Sequence, residues 1–321
     1  MTDEDETEVL IAQLQDPSRS NQALMGLLSR GREIVPALIE YLRTTKPSTV
    51  AEGRRLAVEG LSTLKGEEAL DGLIEVATER LGEIPNPAVR LAEESVVSAA
   101  ALALADFPQP RARQALLSLL QRQPLSGTAE AFEKLKDPRA VPVLVSWLED
   151  DFVAETAARA ILAIGQSAIP WLLMSLRRKN YIHESETGSS QRRRARILEI
   201  LEALAGNDVA AVFDQHLNDP VQAVRWQAIL SLARHGTGEQ KQRALRGALQ
   251  LLDARDGSLR TDASELLASN FEMCTDLIEE EIRRRRENGE REQALTPQET
   301  PLEILLRIHR QGAKPMEAAP S

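Results

Sequence analysis

Seven basic residues crowd one short stretch of this chain. Arg177, Arg178 and Lys179 stand before the segment Asn180–Gln191, and Arg192, Arg193, Arg194 and Arg196 follow it. Guanidinium groups present planar forks of N–H donors that match carboxylates and phosphates. Gathered on one edge, they would make a local positive field in a chain whose net charge is -10. One reading is a solvated face neutralised by Glu149, Asp150 and Asp151, or by Glu199 and Glu202. The other is a docking edge for an anion. Helix geometry cannot bury all seven, so several are expected to face water. The expected partner is an acidic protein segment rather than nucleic acid, because few aromatics are present to stack on single strands. Trp226, directly after Arg225, is expected to be half exposed and is the other candidate contact. Trp147 and Trp171 lie in apolar stripes and are expected in the core.

Other residue types offer less chemistry. The histidines are His183, His216, His235 and His309. His216 and His235 fall at expected helix ends, where a protonated ring suits the C-terminal dipole. The single cysteine, Cys274, excludes an internal disulfide and a thiolate zinc site. Glu272 and Asp276 beside it oppose a lowered thiol pKa, so a buried small hydrophobe is expected there. The run Arg283–Arg286 after Glu279-Glu280-Glu281 reads as a salt-bridged helix surface. No catalytic, cofactor-binding or metal-ligating residues are assigned.

Composition sets the class. The chain has 321 residues, 42% hydrophobic but only 3% aromatic, and 27% charged, with a pI near 5.2. Its core must be built of Leu, Ala, Ile and Val, which suits closely stacked helices. The acidic balance argues against a phosphate-neutralising face. The acidic start Met1–Glu6 shows no secretory signal. No apolar run approaches the ~18 residues of a membrane helix, and the expected location is the cytoplasm.

The elements that must position these residues recur. Leu217–Gly236 reads as a helix end, a turn and a second helix closed by glycine, and weaker copies return every ~28 to 41 residues, as in stacked helix pairs. The second, or B, helices carry apolar residues three and four apart and close on Gly66, Gly165, Gly206 and Gly236. The first, or A, helices share a proline at Pro36, Pro142 and Pro170, where the first turn has no use for the missing N–H. The expected fold is all-α: a right-handed superhelical solenoid of about seven to eight helix pairs over 1–288. A charged capping helix over Met273–Asn288 closes it. Residues 289–321 read as linker, short amphipathic helix (Pro301–His309) and disordered tail.

In these respects the chain resembles the armadillo-like HEAT repeat proteins, in particular the HEAT-like subtype named after phycobilisome lyases. The resemblance rests on the A-helix prolines and on the Asp-Pro-x-x-x-Val-Arg-x-x-Ala-x-x-x-Leu pattern from Asp219 to Leu232, with diluted versions at Asp150–Leu162 and Asp256–Leu267. It implies a ladder in which a turn aspartate meets a B-helix arginine: Asp219 with Arg225, Asp256 with Arg260, and less closely Asp150 with Arg159. It implies a non-catalytic scaffold or adaptor that binds a partner protein on the concave face or the basic edge. The alternatives are an accessory or chaperone subunit of a protein-modifying, lyase-like enzyme and, third, a nucleic-acid binder using the Arg177–Arg196 patch. Some relatives are di-iron hydroxylases with repeated His-Glu dyads. Here His183-Glu184 stands alone, and converging ligands are missing from the sequence. Nothing marks a chromophore site.

Overall fold

The computed structural model of the chain describes residues 3–287. Residues 289–321, expected to be linker, amphipathic helix and tail, lie outside the described residues. By internal packing the chain forms two compact units, Met1–Arg178 and Lys179–Ser321.

The first unit is a run of A and B helices. Its pairs are α1 (Asp3–Gln13) with α2 (Ser20–Ser29), α3 (Val35–Thr44) with α4 (Glu52–Leu64), and α5 (Glu67–Ala77) with α6 (Pro87–Leu104). Then come α7 (Pro110–Arg122) with α8 (Ser126–Leu135) and α9 (Val141–Trp147) with α10 (Ala154–Ile164), and α11 (Ile169–Leu176) closes the unit. Each B helix packs on the next, α2 on α4, then α6, α8 and α10. The buried residues are those of the apolar stripes, for example Leu56, Ala57 and Leu61 on α4 and Val97, Ala101 and Leu104 on α6. Packing is tightest where α8 meets α6: a β-carbon on Gly127 would overlap the Ser98 carbonyl.

The second unit holds α12 (Gly188–Ala205), α13 (Ala210–His216) with α14 (Gln222–His235), and α15 (Gly238–Leu251) with α16 (Gly257–Ser269). The charged helix α17 (Phe271–Glu287) packs on α15 and α16 and turns Phe271, Cys274 and Ile278 inward. The only strands among the described residues are β1 (Tyr181–Ile182) and β2 (Ser185–Glu186), an antiparallel hairpin ahead of α12.

Local chemistry explains the boundaries. Pro36, Pro142 and Pro170 each occupy the second position of their helices, where a missing N–H costs nothing. Gly31, Gly66, Gly165 and Gly206 take positive φ of 72°, 104°, 83° and 48° and turn the chain out of one helix into the next. Gly236 does not: its φ is -70°. Glycine is needed there because a β-carbon would press on the Leu232 carbonyl oxygen. A capping box of Thr237 and Gln240 starts α15, and Asp256 caps α16.

Two sequence expectations are corrected. Ala154–Leu176, at a mean hydropathy of 1.3, is apolar and long enough by composition to cross a membrane, but its backbone is broken at Gly165 into α10 and α11. Trp147 is buried, whereas Trp171 is 40% exposed. In the short α11, Leu172 and Leu176, four apart, take the inner face and leave Trp171 and Met174 on the outer one.

Candidate functional site

The insertion between α11 and α12 is shorter than its sequence suggests and is built as a hairpin. Thr187 caps α12 by accepting from the Ser190 amide at 3.3 Å, so Gly188–Gln191 form the first helical turn. That leaves 180–187 outside the helix. Tyr181 pairs with Glu186 and Ile182 with Ser185. His183 and Glu184 make the turn at φ of 46° and 68°, a left-handed conformation that costs residues with a β-carbon about 1 kcal/mol or more each.

A buried arginine holds this hairpin in place. Arg194 is 1% exposed. Its guanidinium donates to Glu186 Oε2 at 2.9 Å and to both carboxylate oxygens of Asp219, one at 3.3 Å and the other closer. Glu186 also accepts from Ser190 Oγ at 2.8 Å, while its carbonyl accepts from Gln191 Nε2 at 2.9 Å. The Thr187 amide donates to the Asn180 carbonyl at 2.8 Å and closes the base. Burial alone would raise Asp219. The Arg194 hydrogen bonds, the Val221 amide and the charges of Arg194 and Lys179 outweigh it and hold the carboxyl below its ordinary value.

This geometry redraws the basic cluster. Arg177 and Arg178 are exposed at the end of the first unit. In the second unit Arg192 is exposed, Lys179 and Arg196 are half buried, and Arg193 and Arg194 are 6% and 1% exposed. Two residues assigned to a docking edge thus sit inside the protein, because α12 begins at Gly188 and turns them onto its packed face. Glu202, suggested as a neutraliser of the cluster, instead accepts from Gln227, Ser231 and Arg234 at 3.0, 2.9 and 3.1 Å, with His235 Nε2 3.4 Å away. Trp226 is half buried on α14.

The expected ladder is corrected in the same way. The Asp219 carboxylate belongs to Arg194. Arg225 donates to the backbone carbonyls of Asp219 and Pro220 at 2.6 and 3.2 Å. Arg260 repeats that clip on Ala254 and Arg255 at 2.7 and 3.1 Å, while Asp256 caps α16. Arg159 lies 3.6 Å from both Glu130 and Glu133, and Asp150 caps the Phe152 amide at 2.9 Å. A helical arginine a turn beyond its aspartate reaches the turn's carbonyls more readily than its carboxylate.

A third buried arginine went unseen in the sequence. Arg54, 4% exposed on α4, donates to Glu93 at 2.9 Å, Glu79 at 2.7 Å and the carbonyls of Thr45, at 3.0 Å, and Leu42. The only signal was an arginine inside the apolar stripe of a B helix. Burial, with the charges of Glu93 and Glu75, raises Glu79 above its ordinary value against Arg54. Glu93 Oε1 is buried without a hydrogen-bond partner. Cys274 is fully buried, its thiol pushed up to about 11 by desolvation. Among the described residues no group of three or more His, Cys, Asp or Glu could hold a metal ion.

Concavities on the first unit include one of about 760 Å³ between the end of α6, α7 and the end of α8, lined by Phe107, Leu117 and Leu135 among others, and two more. One, of about 860 Å³, lies between α1, α3 and the loop 45–51, and Ile11, Ala37, Tyr41 and Val50 are among its lining residues. The other, of about 230 Å³, crosses three successive B helices, α4, α6 and α8. Residues 96–122, from the second half of α6 through α7, match the family described as the PBS lyase HEAT-like repeat. No curated protein matches the chain. The chain carries a HEAT-like repeat within an all-α array of helix pairs.

Proposed function

We propose that this chain is a non-catalytic adaptor that holds a partner protein on the B-helix surface of its first unit. A HEAT-like array offers a repeated helical surface, and such surfaces serve as extended binding faces. The observation that carries the reading is the groove over α4, α6 and α8. Val58, Ala99, Leu102 and Ala103 supply its apolar part, and Arg55, Glu59, Asp106 and Lys134 its charged part. Small residues on α6 leave room for a bulky apolar side chain from a partner. The charges around it are already paired: Arg55 with Glu52 at 2.8 Å, Lys134 with Asp106 at 3.3 Å. They favour a polar rim over a strongly charged ligand.

The test fills the groove. Ala99→Glu with Leu102→Arg changes two half-exposed positions and should leave helical content and melting intact. Immobilised wild-type chain should retain a defined protein from a native lysate that this variant does not retain. Equal retention by both would move the partner off the B-helix surface.

A further inference from the structure

We propose that the cavity between α1, α3 and the loop 45–51 binds a small organic cation: a ligand with an apolar body and one ammonium group. The cavity measures about 860 Å³, within the range of sites that enclose a drug-sized molecule. It shares no lining residue with the groove over α4, α6 and α8.

Helix periodicity builds its walls. Glu8, Ile11 and Ala12 stand three and four apart on α1, so one face of that helix turns to the cavity. Ala37, Glu40, Tyr41 and Thr44 keep the same spacing on α3 and line the opposite wall. Ile11, Ala37 and Val50 supply apolar surface for the body of a ligand. The first turn of α4 contributes Gly53 and Arg54. A β-carbon on Gly53 would overlap the Tyr41 hydroxyl and the Leu14 carbonyl, so glycine there lets α4 come close and fixes the phenol. Tyr41 is 6% exposed. Walls that stand in place before binding lose little entropy when a ligand enters.

Charge selects the ligand. Glu8 and Glu40 are exposed on the two facing helices, and neither carboxylate takes part in an ion pair among the described residues. Arg43, whose charge Glu40 feels, is itself held by Glu75 at 2.8 Å. The cations of the lining are Lys46 and Arg54. Arg54 is committed inward, to Glu79 and Glu93 and to the carbonyls of Leu42 and Thr45. Lys46 alone offsets the two free carboxylates and leaves the mouth one negative charge in excess. A single ammonium between the walls completes the balance. A small molecule suits this site better than a protein segment, because α1, α3, the loop and the start of α4 close around it from different sides.

The test titrates the full chain calorimetrically with biphenylbutylamine and with its carboxylate counterpart, biphenylbutyrate. The amine should saturate a single site with a Kd below about 1 mM. The carboxylate should bind at least about tenfold more weakly. Glu8→Gln/Glu40→Gln, two changes at exposed positions, should weaken the amine about tenfold and remove the preference between the probes. Ala12→Trp, which fills the cavity from an exposed position, should abolish amine binding and leave melting intact. Absence of saturable amine binding, equal affinity for the two probes, or unchanged amine binding in either variant would each overturn the proposal. So would a short peptide of leucine and lysine that saturates the chain where the amine does not, since the occupant would then be a protein segment. The groove variant Ala99→Glu/Leu102→Arg should leave the titration unchanged, so failure of one site is distinguishable from failure of the other.

Discussion

Arg54 and Arg194 are the same residue in the same predicament, each buried on a B helix and each facing two carboxylates, yet their surroundings push those carboxylates in opposite directions. Arg194 aims both terminal nitrogens at acids, and Asp219 also accepts from the Val221 amide at 3.0 Å. Its carboxyl is held low. Arg54 directs one terminal nitrogen to the carbonyls of Leu42 and Thr45 and has only Nε and the other for Glu93 and Glu79. Glu79 is held high, by desolvation first and then by the charges of Glu93 and Glu75, against the pull of Arg54. Desolvation is opposed at Asp219 by Arg194, the Val221 amide and Lys179, and at Glu79 by Arg54 alone with two carboxylates adding to it. The Arg194 cluster fastens an insertion and an inter-helix turn. The Arg54 cluster fastens helix to helix inside the stack.

The largest effect expected in the first cluster comes from Arg54→Ala. It leaves Glu79 and Glu93 without their cation and should cost about 3–5 kcal/mol, read as lost hydrogen-exchange protection in α4 and α6. Replacing all three with apolar residues of similar volume should recover most of that loss, because whole buried ion clusters are often no better than packed hydrocarbon. A loss that persists in the triple variant would mean that the cluster contributes more than the removal of stranded charge.

A middle-sized effect separates the two acids at neutral pH. Asp219→Asn removes charge-assisted bonds from Arg194 and should cost about 2 kcal/mol. Glu79→Gln removes a charge that burial already disfavours and should cost less than about 1 kcal/mol. Equal losses would erase the distinction between the clusters.

The smallest effect is in the pH dependence, and its sign differs between the two. Asp219 is lowered, so its contribution is present above the ordinary aspartate value and is lost as pH falls through the lower folded value. Glu79 is raised, so the folded state gains a proton before the unfolded one does. Stability rises as pH falls from above the folded value toward the ordinary glutamate value. Hydrogen exchange should therefore show α4 protection increasing on mild acidification, an increase that Glu79→Gln abolishes, while α12 loses protection only in stronger acid. Parallel behaviour of the two helices would contradict both assignments.

Much of the helical frame was legible because its signals are local. Pro36, Pro142 and Pro170 stand at the same helical position, and three of the four expected glycines, Gly66, Gly165 and Gly206, turn the chain through positive φ. Gly236 shows the limit: glycine marked the stop, but close approach and not positive φ is the reason. The family match falls at 96–122, while the most regular motif, Asp219–Leu232, lies elsewhere. The site was less legible because its determinants are far apart in sequence. Arg194 meets Asp219 25 positions away, and Arg54 meets Glu93 39 positions away. Charge spacing alone made the run from Arg192 to Arg196 look like a surface. The cap at Thr187 was the local clue that starts α12 earlier and rotates Arg193 and Arg194 inward.

The most direct measurement compares Arg194→Ala with Arg192→Ala, two neighbours of identical chemistry, by hydrogen exchange at the amides of α12 and α14. If the cluster is divided between an internal clamp and an exposed edge, Arg194→Ala lowers the opening free energy of these helices by about 3–5 kcal/mol. Arg192→Ala then changes it by no more than about 0.5 kcal/mol. Small and equal changes in both variants would return Arg194 to the solvated edge and contradict the internal clamp.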